Sequence, residues 1–87
     1  MVGPDMAQVT MYSTPWCGYC RRLKMQLDQA GIDYREIDIE RDPDAVSFVE
    51  GVNGGNQTVP VVRFPDDTTA TNPSLAQVAE KLADLVA

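Results

Sequence analysis

"TPWCGYCRR", residues 14–22, holds the chain's only two cysteines, three positions apart, beside its only tryptophan. A structural staple, half of a metal site and a working redox couple are the three readings open to such a pair. The flanking pattern decides where it sits. Val9, Met11 and Ser13 alternate with Thr10 and Tyr12 in the period of a strand, and "STPW" breaks that strand. From Gly18 onward Cys20, Leu23, Leu27 and Ala30 recur at helical spacing, and Gly31 stands where a helix would stop. Cys17 is thus expected at a helix entrance, with Cys20 one turn inside.

Ile32, Tyr34, Ile37 and Ile39 supply a second strand, with Ile37 and Ile39 alternating with Glu36 and Asp38. Asp42 before Pro43 reads as a cap and first helical residue, Ala45, Phe48, Val49 and Val52 form one face of a short helix, and "NGGN" ends it. "VPVVRF" (59–64), the turn residues "PDD" and an edge strand "TTAT" predict a hairpin. Leu75, Val78, Ala79, Leu82 and Val86 make an amphipathic closing helix, started either by Asn72 before Pro73 or by a Ser74–Gln77 capping box. The order βαβαββα implies an α/β fold with a small four-stranded mixed sheet and helices on both faces. This is the element order of the thioredoxin fold. Residues 1–6 read as a flexible tail and 7–87 as a single domain.

Composition narrows the function. Seven basic against thirteen acidic residues give a net charge of −6, the wrong sign for neutralising phosphate backbones, so nucleic acid is not an expected partner. The start "MVGPDMAQV" has no basic segment leading into an apolar run, and no stretch approaches the length of a membrane span. A soluble, unexported monomer in a reducing cytoplasm is expected, where two clustered cysteines are functional or metal-bound. Arg21, Arg22 and Lys24 form a basic run directly after them, either a solvated face or a cluster acting on a nearby thiol.

A staple is a poor use of the pair, because closing a four-residue loop removes only about 2 kcal/mol of unfolded-state entropy. Zinc needs four ligands, and the chain offers two thiols and no histidine, so no metal site is expected. The redox reading has a positive mechanism: at a helix entrance, unpaired N–H groups and the helix dipole favour a thiolate at Cys17. A lowered thiol pKa raises the thiolate fraction but costs intrinsic nucleophilicity, so the gain lies mainly in Cys17 as a leaving group. Cys20 is expected to face the core and stay protonated until a mixed disulfide has formed on Cys17. "TVP" at 58–60 adds a proline at the head of a core strand, in trans or in a cis Val59–Pro60 bond that frees the preceding backbone for a substrate.

With "VTMYSTPWCGYCRRLK", "YREIDIERDPDA", "VNGGNQTVPVV" and "TNPSLAQV" in order, nearly the whole chain resembles the glutaredoxins, and most closely the actinobacterial mycoredoxins. The resemblance implies a thioredoxin-like fold, a cis Pro60, Cys17 as nucleophile with Cys20 as second thiol, and a groove lined by Tyr19, Thr58, Val59 and the start of the last helix. It implies an enzyme that reduces mixed disulfides between proteins and a low-molecular-weight thiol, with no tightly bound cofactor. Four departures bear on which thiol. Gly18 stands where the family commonly has proline, "YSTPW" lacks a lysine, Gln57 precedes "TVP" in place of a basic residue, and Asn72 and Ser74 fall where Gly-Gly and Asp are common. Each missing group is one that handles a charge of glutathione. Mycothiol, a cysteinyl sugar without a free carboxylate, is favoured over glutathione, with Trp16 available to stack on its sugar rings or on a protein substrate. Arg21 and Arg22 are carboxylate partners that keep glutathione open. Gly18 also keeps open an iron–sulfur carrier formed by a cluster-bridged dimer.

Overall fold

β1 (Val9–Ser13) is an inner strand of the sheet. The structure is a computed structural model that describes residues 8–86; the expected tail at 1–6 lies outside the described residues. α1 (Gly18–Ala30) follows, then β2 (Tyr34–Asp38), α2 (Pro43–Asn53), β3 (Val61–Arg63), β4 (Thr69–Thr71) and α3 (Leu75–Val86). The strand order is β2-β1-β3-β4. β2 runs parallel to β1, from Val9 opposite Tyr34 to Ser13 opposite Asp38, while β3 is antiparallel to β1 and β4 antiparallel to β3. This is the expected thioredoxin-like mixed sheet.

Strand alternation separates two cores. Val9, Met11, Val62 and Phe64 face α1 and α3, where they meet Leu23, Leu27 and Val78 with Leu75, Leu82 and Leu85 at the margin. Tyr12 and Val61 face the other way, onto Ile39 and the α2 residues Ala45 and Val49. Val59 touches both clusters, which fixes the loop before β3 at the upper edge of the sheet. Helices therefore cover both faces.

The ends follow from local chemistry. Asp42 caps α2 through the Asp44 and Ala45 N–H groups, with Pro43 in the first turn, and Gly31 and Gly54 end α1 and α2 in the left-handed conformation that glycine adopts without a Cβ penalty. The open choice at α3 resolves to Ser74. Its hydroxyl accepts the Gln77 N–H at 3.1 Å and Gln77 Oε1 accepts the Ser74 N–H at 2.8 Å, a reciprocal capping box. Asn72 instead sits at φ 49° with its N–H on the Pro60 carbonyl at 2.7 Å.

Three expectations change. Ile39 is not a strand residue, because Asp38 caps a 3-10 turn over Ile39–Arg41 through the Glu40 N–H. The strand within 59–64 shortens to Val61–Arg63, and Ala79 is exposed because the buried stripe of α3 runs through Leu75, Val78, Leu82 and Leu85.

Gly18 is the first residue of α1, a Cβ there meets nothing nearer than Arg21 Nη2 at 4.0 Å, and Cys17 before it is extended at φ −80°, ψ 112°. Both facts suit proline, which is pre-organised for a first helical position and wants an extended residue before it. Gly18→Pro is expected to raise the unfolding free energy by about 0.5–1 kcal/mol, read by urea denaturation.

Candidate active site

The β1–α1 junction delivers Cys17 as the N-cap of α1, and its sulfur accepts the Cys20 N–H at 3.1 Å. A side chain that would elsewhere be Ser or Asp is here a thiol, so the orphan donors of the helix point at the reactive atom. The Cys17 N–H is tied to the Thr14 carbonyl at 3.3 Å, and Cys17 Sγ lies 3.8 Å from the Val59 carbonyl oxygen. Val59 precedes Pro60 through a cis bond, as the resemblance implied. Both cysteines are free thiols.

The two thiols differ less in exposure than in surroundings. Cys17 is 6 % exposed and Cys20 1 %, so both cysteines are buried. The Cys20 thiol is pushed up from 9.0 to about 12, chiefly by burial and next by its hydrogen bond with Cys17. The charges of Cys17 and Glu36 push the same way, against the Thr14 backbone.

Two exposed aromatic side chains, Trp16 and Tyr19, lie beside the cysteines in sequence. Tyr19, 64 % exposed, borders a cavity of about 310 Å³ between α1 and the start of α3. Arg22 and Gln26 of α1 face Asn72, Ser74 and Gln77 across it, over a floor of Leu23, Pro73 and Leu75. The cavity thus gathers four of the expected site residues, Tyr19, Arg22, Asn72 and Ser74. Gln26 and Gln77 were missed, although Gln26 lies one turn beyond Arg22 on the same helix face. Trp16 does not border this cavity. Its indole, 70 % exposed, donates Nε1–H to Glu40 Oε2 at 2.7 Å.

Gln57 is also elsewhere, donating to Glu50 Oε2 at 3.0 Å. Thr58 is held by Asn56 through its N–H and by Asn53 through its carbonyl, which steadies the strand entry beneath Cys17. The basic run after the cysteines divides, since Arg21 Nη1 reaches the Pro15 carbonyl at 3.5 Å, Arg22 lines the cavity, and Lys24 pairs with Glu36 at 3.2 Å. Ser13 Oγ donates to the same carboxylate at 2.6 Å, and these two hydrogen bonds lower its pKa against the opposing effect of burial. Among the described residues no three His, Cys, Asp or Glu side chains gather as a metal set, and no helix is long and apolar enough to cross a membrane.

The glutaredoxin family model matches residues 9–68. The chain belongs to the glutaredoxin family. It is 52 % identical over 79 residues to a candidate glutaredoxin of Mycobacterium tuberculosis, covering 91 % of this chain and 94 % of that one. It is 48 % identical over 80 residues to mycoredoxin 1 of Corynebacterium glutamicum, covering 92 % and 99 %. The structure matches the crystal structure of a glutaredoxin from Archaeoglobus fulgidus with a TM-score of 0.70 and 27 % identity, over 87 % of this chain and 86 % of that one. This glutaredoxin is a thiol–disulfide oxidoreductase, close to mycoredoxin, of a family that works with a thiol co-substrate and typically holds no tightly bound cofactor.

Burial is the largest cause of the Cys20 shift and does not depend on Cys17. In Cys17→Ser, the alkylation rate of Cys20 against pH is expected to show a midpoint below about 12 and still above 9.0. The folded glutaredoxin keeps this proton between 9.0 and about 12, where the unfolded chain releases it. This thiol therefore costs the fold stability as pH rises through that window and none below it.

Proposed function

We propose that this glutaredoxin reduces mixed disulfides between proteins and mycothiol, as a cytoplasmic monomer. The observation that carries the choice of thiol is the cavity beside Tyr19, whose polar lining is three amides, the Ser74 and Tyr19 hydroxyls and one guanidinium, with no carboxylate. Such a rim suits the hydroxyls of a sugar and offers glutathione, with two carboxylates and an ammonium, a single cation at Arg22. The kinship with mycoredoxin 1 supports the same thiol.

In this reading Cys17 Sγ attacks the thiol-side sulfur of the mixed disulfide. A bond forms between Cys17 and the small thiol, and the protein sulfur leaves with the bonding pair and takes up a proton. The Val59 carbonyl and the backbone around cis Pro60 border the entering disulfide, while Tyr19, Arg22, Asn72 and Ser74 hold the small thiol, and Thr58 and Gln57 frame the strand entry. A second thiol then displaces the small thiol from Cys17. Cys20 is pushed up to about 12, chiefly by burial, so its thiol stays protonated at neutral pH. Disulfide formation on Cys17 removes that residue's part of the shift and leaves burial in place, so free small thiol is the main resolving nucleophile.

Cys17→Ser is expected to abolish turnover, and Cys20→Ser to retain it when free mycothiol is supplied. Stopped-flow resolution of a model mixed disulfide made with mycothiol is expected to outrun that of its glutathione counterpart by about ten-fold or more, the scale of one or two matched polar contacts. Equal rates, or a preference for glutathione, would overturn the choice of thiol.

A further inference from the structure

Three large apolar side chains are exposed among the described residues, Trp16, Tyr19 and Met25, and two of them bracket Cys17 in sequence. Their environments are opposite. Tyr19 is a wall of the cavity, whereas Trp16 borders no part of it and lies toward the 3-10 turn after β2. A large aromatic surface left open beside a reactive sulfur is an interaction feature, since one indole offers much contact area for two side-chain torsions. Here the torsions are restrained as well. The carboxylate of Glu40 accepts the indole N–H at 2.7 Å across 24 residues of sequence, a charge-assisted bond.

The turn that carries Glu40 is itself held. Asp38 Oδ1 accepts the Glu40 N–H at 2.9 Å, and Asp38 Oδ2 pairs with Arg41 at 3.6 Å. A fixed acceptor at both levels makes the indole a preset plane whose polar edge is satisfied and whose ring surface is free for contact. Preorganisation of this kind saves the ordering cost that a swinging aromatic incurs on association.

We propose that Glu40 is a positioning residue that holds Trp16 as the landing platform for the polypeptide half of the mixed disulfide. This rests on the mixed-disulfide reading above, because it divides the two halves of that substrate between two flanks of Cys17. The small thiol enters the hydrogen-bonding cavity on the Tyr19 side. A polypeptide needs an open plane, and the Trp16 side supplies one. The sulfur exchange is unchanged, with Cys17 bonding to the small-thiol sulfur and the protein thiolate leaving with the electron pair. Glu40 touches neither sulfur in this scheme and acts only through the indole.

The test compares two substrates carrying the same small thiol: a folded carrier protein with one surface cysteine coupled to mycothiol, and the mixed disulfide of mycothiol with 2-mercaptoethanol. For Glu40→Ala, kcat/KM on the protein substrate is expected to fall by about five-fold or more, mainly through KM, with the small substrate within about two-fold of wild type. Trp16 is the only tryptophan. Its fluorescence is therefore a direct readout, and acrylamide quenching is expected to rise in Glu40→Ala. Glu40→Gln, whose amide oxygen still accepts the indole N–H, is expected to restore both properties. Trp16→Ala is expected to show the same selective loss, and Trp16→Ala/Glu40→Ala no further loss.

Equal losses on both substrates would assign Glu40 a merely structural role and overturn the proposal. A freed indole with undiminished protein turnover would overturn it too, as would an indole no more accessible in Glu40→Ala than in wild type. Wild-type enzyme inactive on both substrates would instead sink the mixed-disulfide reading, and this proposal with it.

Discussion

The helix cap and one of the two redox thiols are the same residue. α1 must present acceptors to the unpaired N–H groups of its first turn, and Cys17 Sγ does so by taking the Cys20 N–H at 3.1 Å. Replacing the usual oxygen by sulfur leaves the capping geometry in place and puts a polarisable, ionisable atom at the positive end of a 13-residue helix. The two-cysteine spacing follows from the same constraint. With Cys17 at the cap, the third residue on is the donor that satisfies it, and the side chain of that residue turns inward onto Met11, Val62 and Val78. Cys20 is buried because Cys17 caps.

That arrangement makes the two thiols unequal without any dedicated charged group. The residues best placed to act electrostatically are committed elsewhere, Lys24 to Glu36 and Arg21 to the Pro15 carbonyl. The Ser13–Glu36–Lys24 set closes the parallel β1–β2 edge, and its carboxylate adds to the pressure keeping Cys20 protonated. Burial is the largest part of that pressure, so the protonation of Cys20 in the free dithiol is chiefly a property of the core.

The features legible in the sequence are those whose causes are local. Strand alternation at residues 9–13, the stop at Gly31, the Asp42–Pro43 start and the hairpin at 65–67 each depend on residues within one turn or one strand of each other, and each stands where expected. Ile39 was misread for a local reason, since two-residue spacing from Ile37 mimics a strand even though Asp38 has begun to cap a turn. Both isoleucines nevertheless reach the α2 core, which is why the alternation looked convincing. The start of α3 could not be settled locally, because the N–H of Asn72 belongs to the Pro60 carbonyl and only the fold brings the two together. The site divides along the same line. Cys17, Cys20, Tyr19 and Arg22 are carried by one cap and one helix, whereas the partners of Trp16 and Gln57 are glutamates that no spacing rule connects to the cysteines.

The burial of Cys17 constrains what kind of specificity the enzyme can have. With Cys17 only 6 % exposed, an incoming disulfide has restricted access to its sulfur, and under the proposed division the two substituents of that disulfide go to different sides. In that proposal one side is the rim of Arg22, Gln26, Asn72, Ser74 and Gln77, where discrimination would come from matching hydrogen bonds and be steep in the identity of the ligand. The other is the ring surface of Trp16, where contact would be apolar, broad and tolerant of sequence. A reductase that recognises one small thiol on many different proteins needs such a division, which is what the proposal assigns to the Tyr19 and Trp16 sides of a single N-cap.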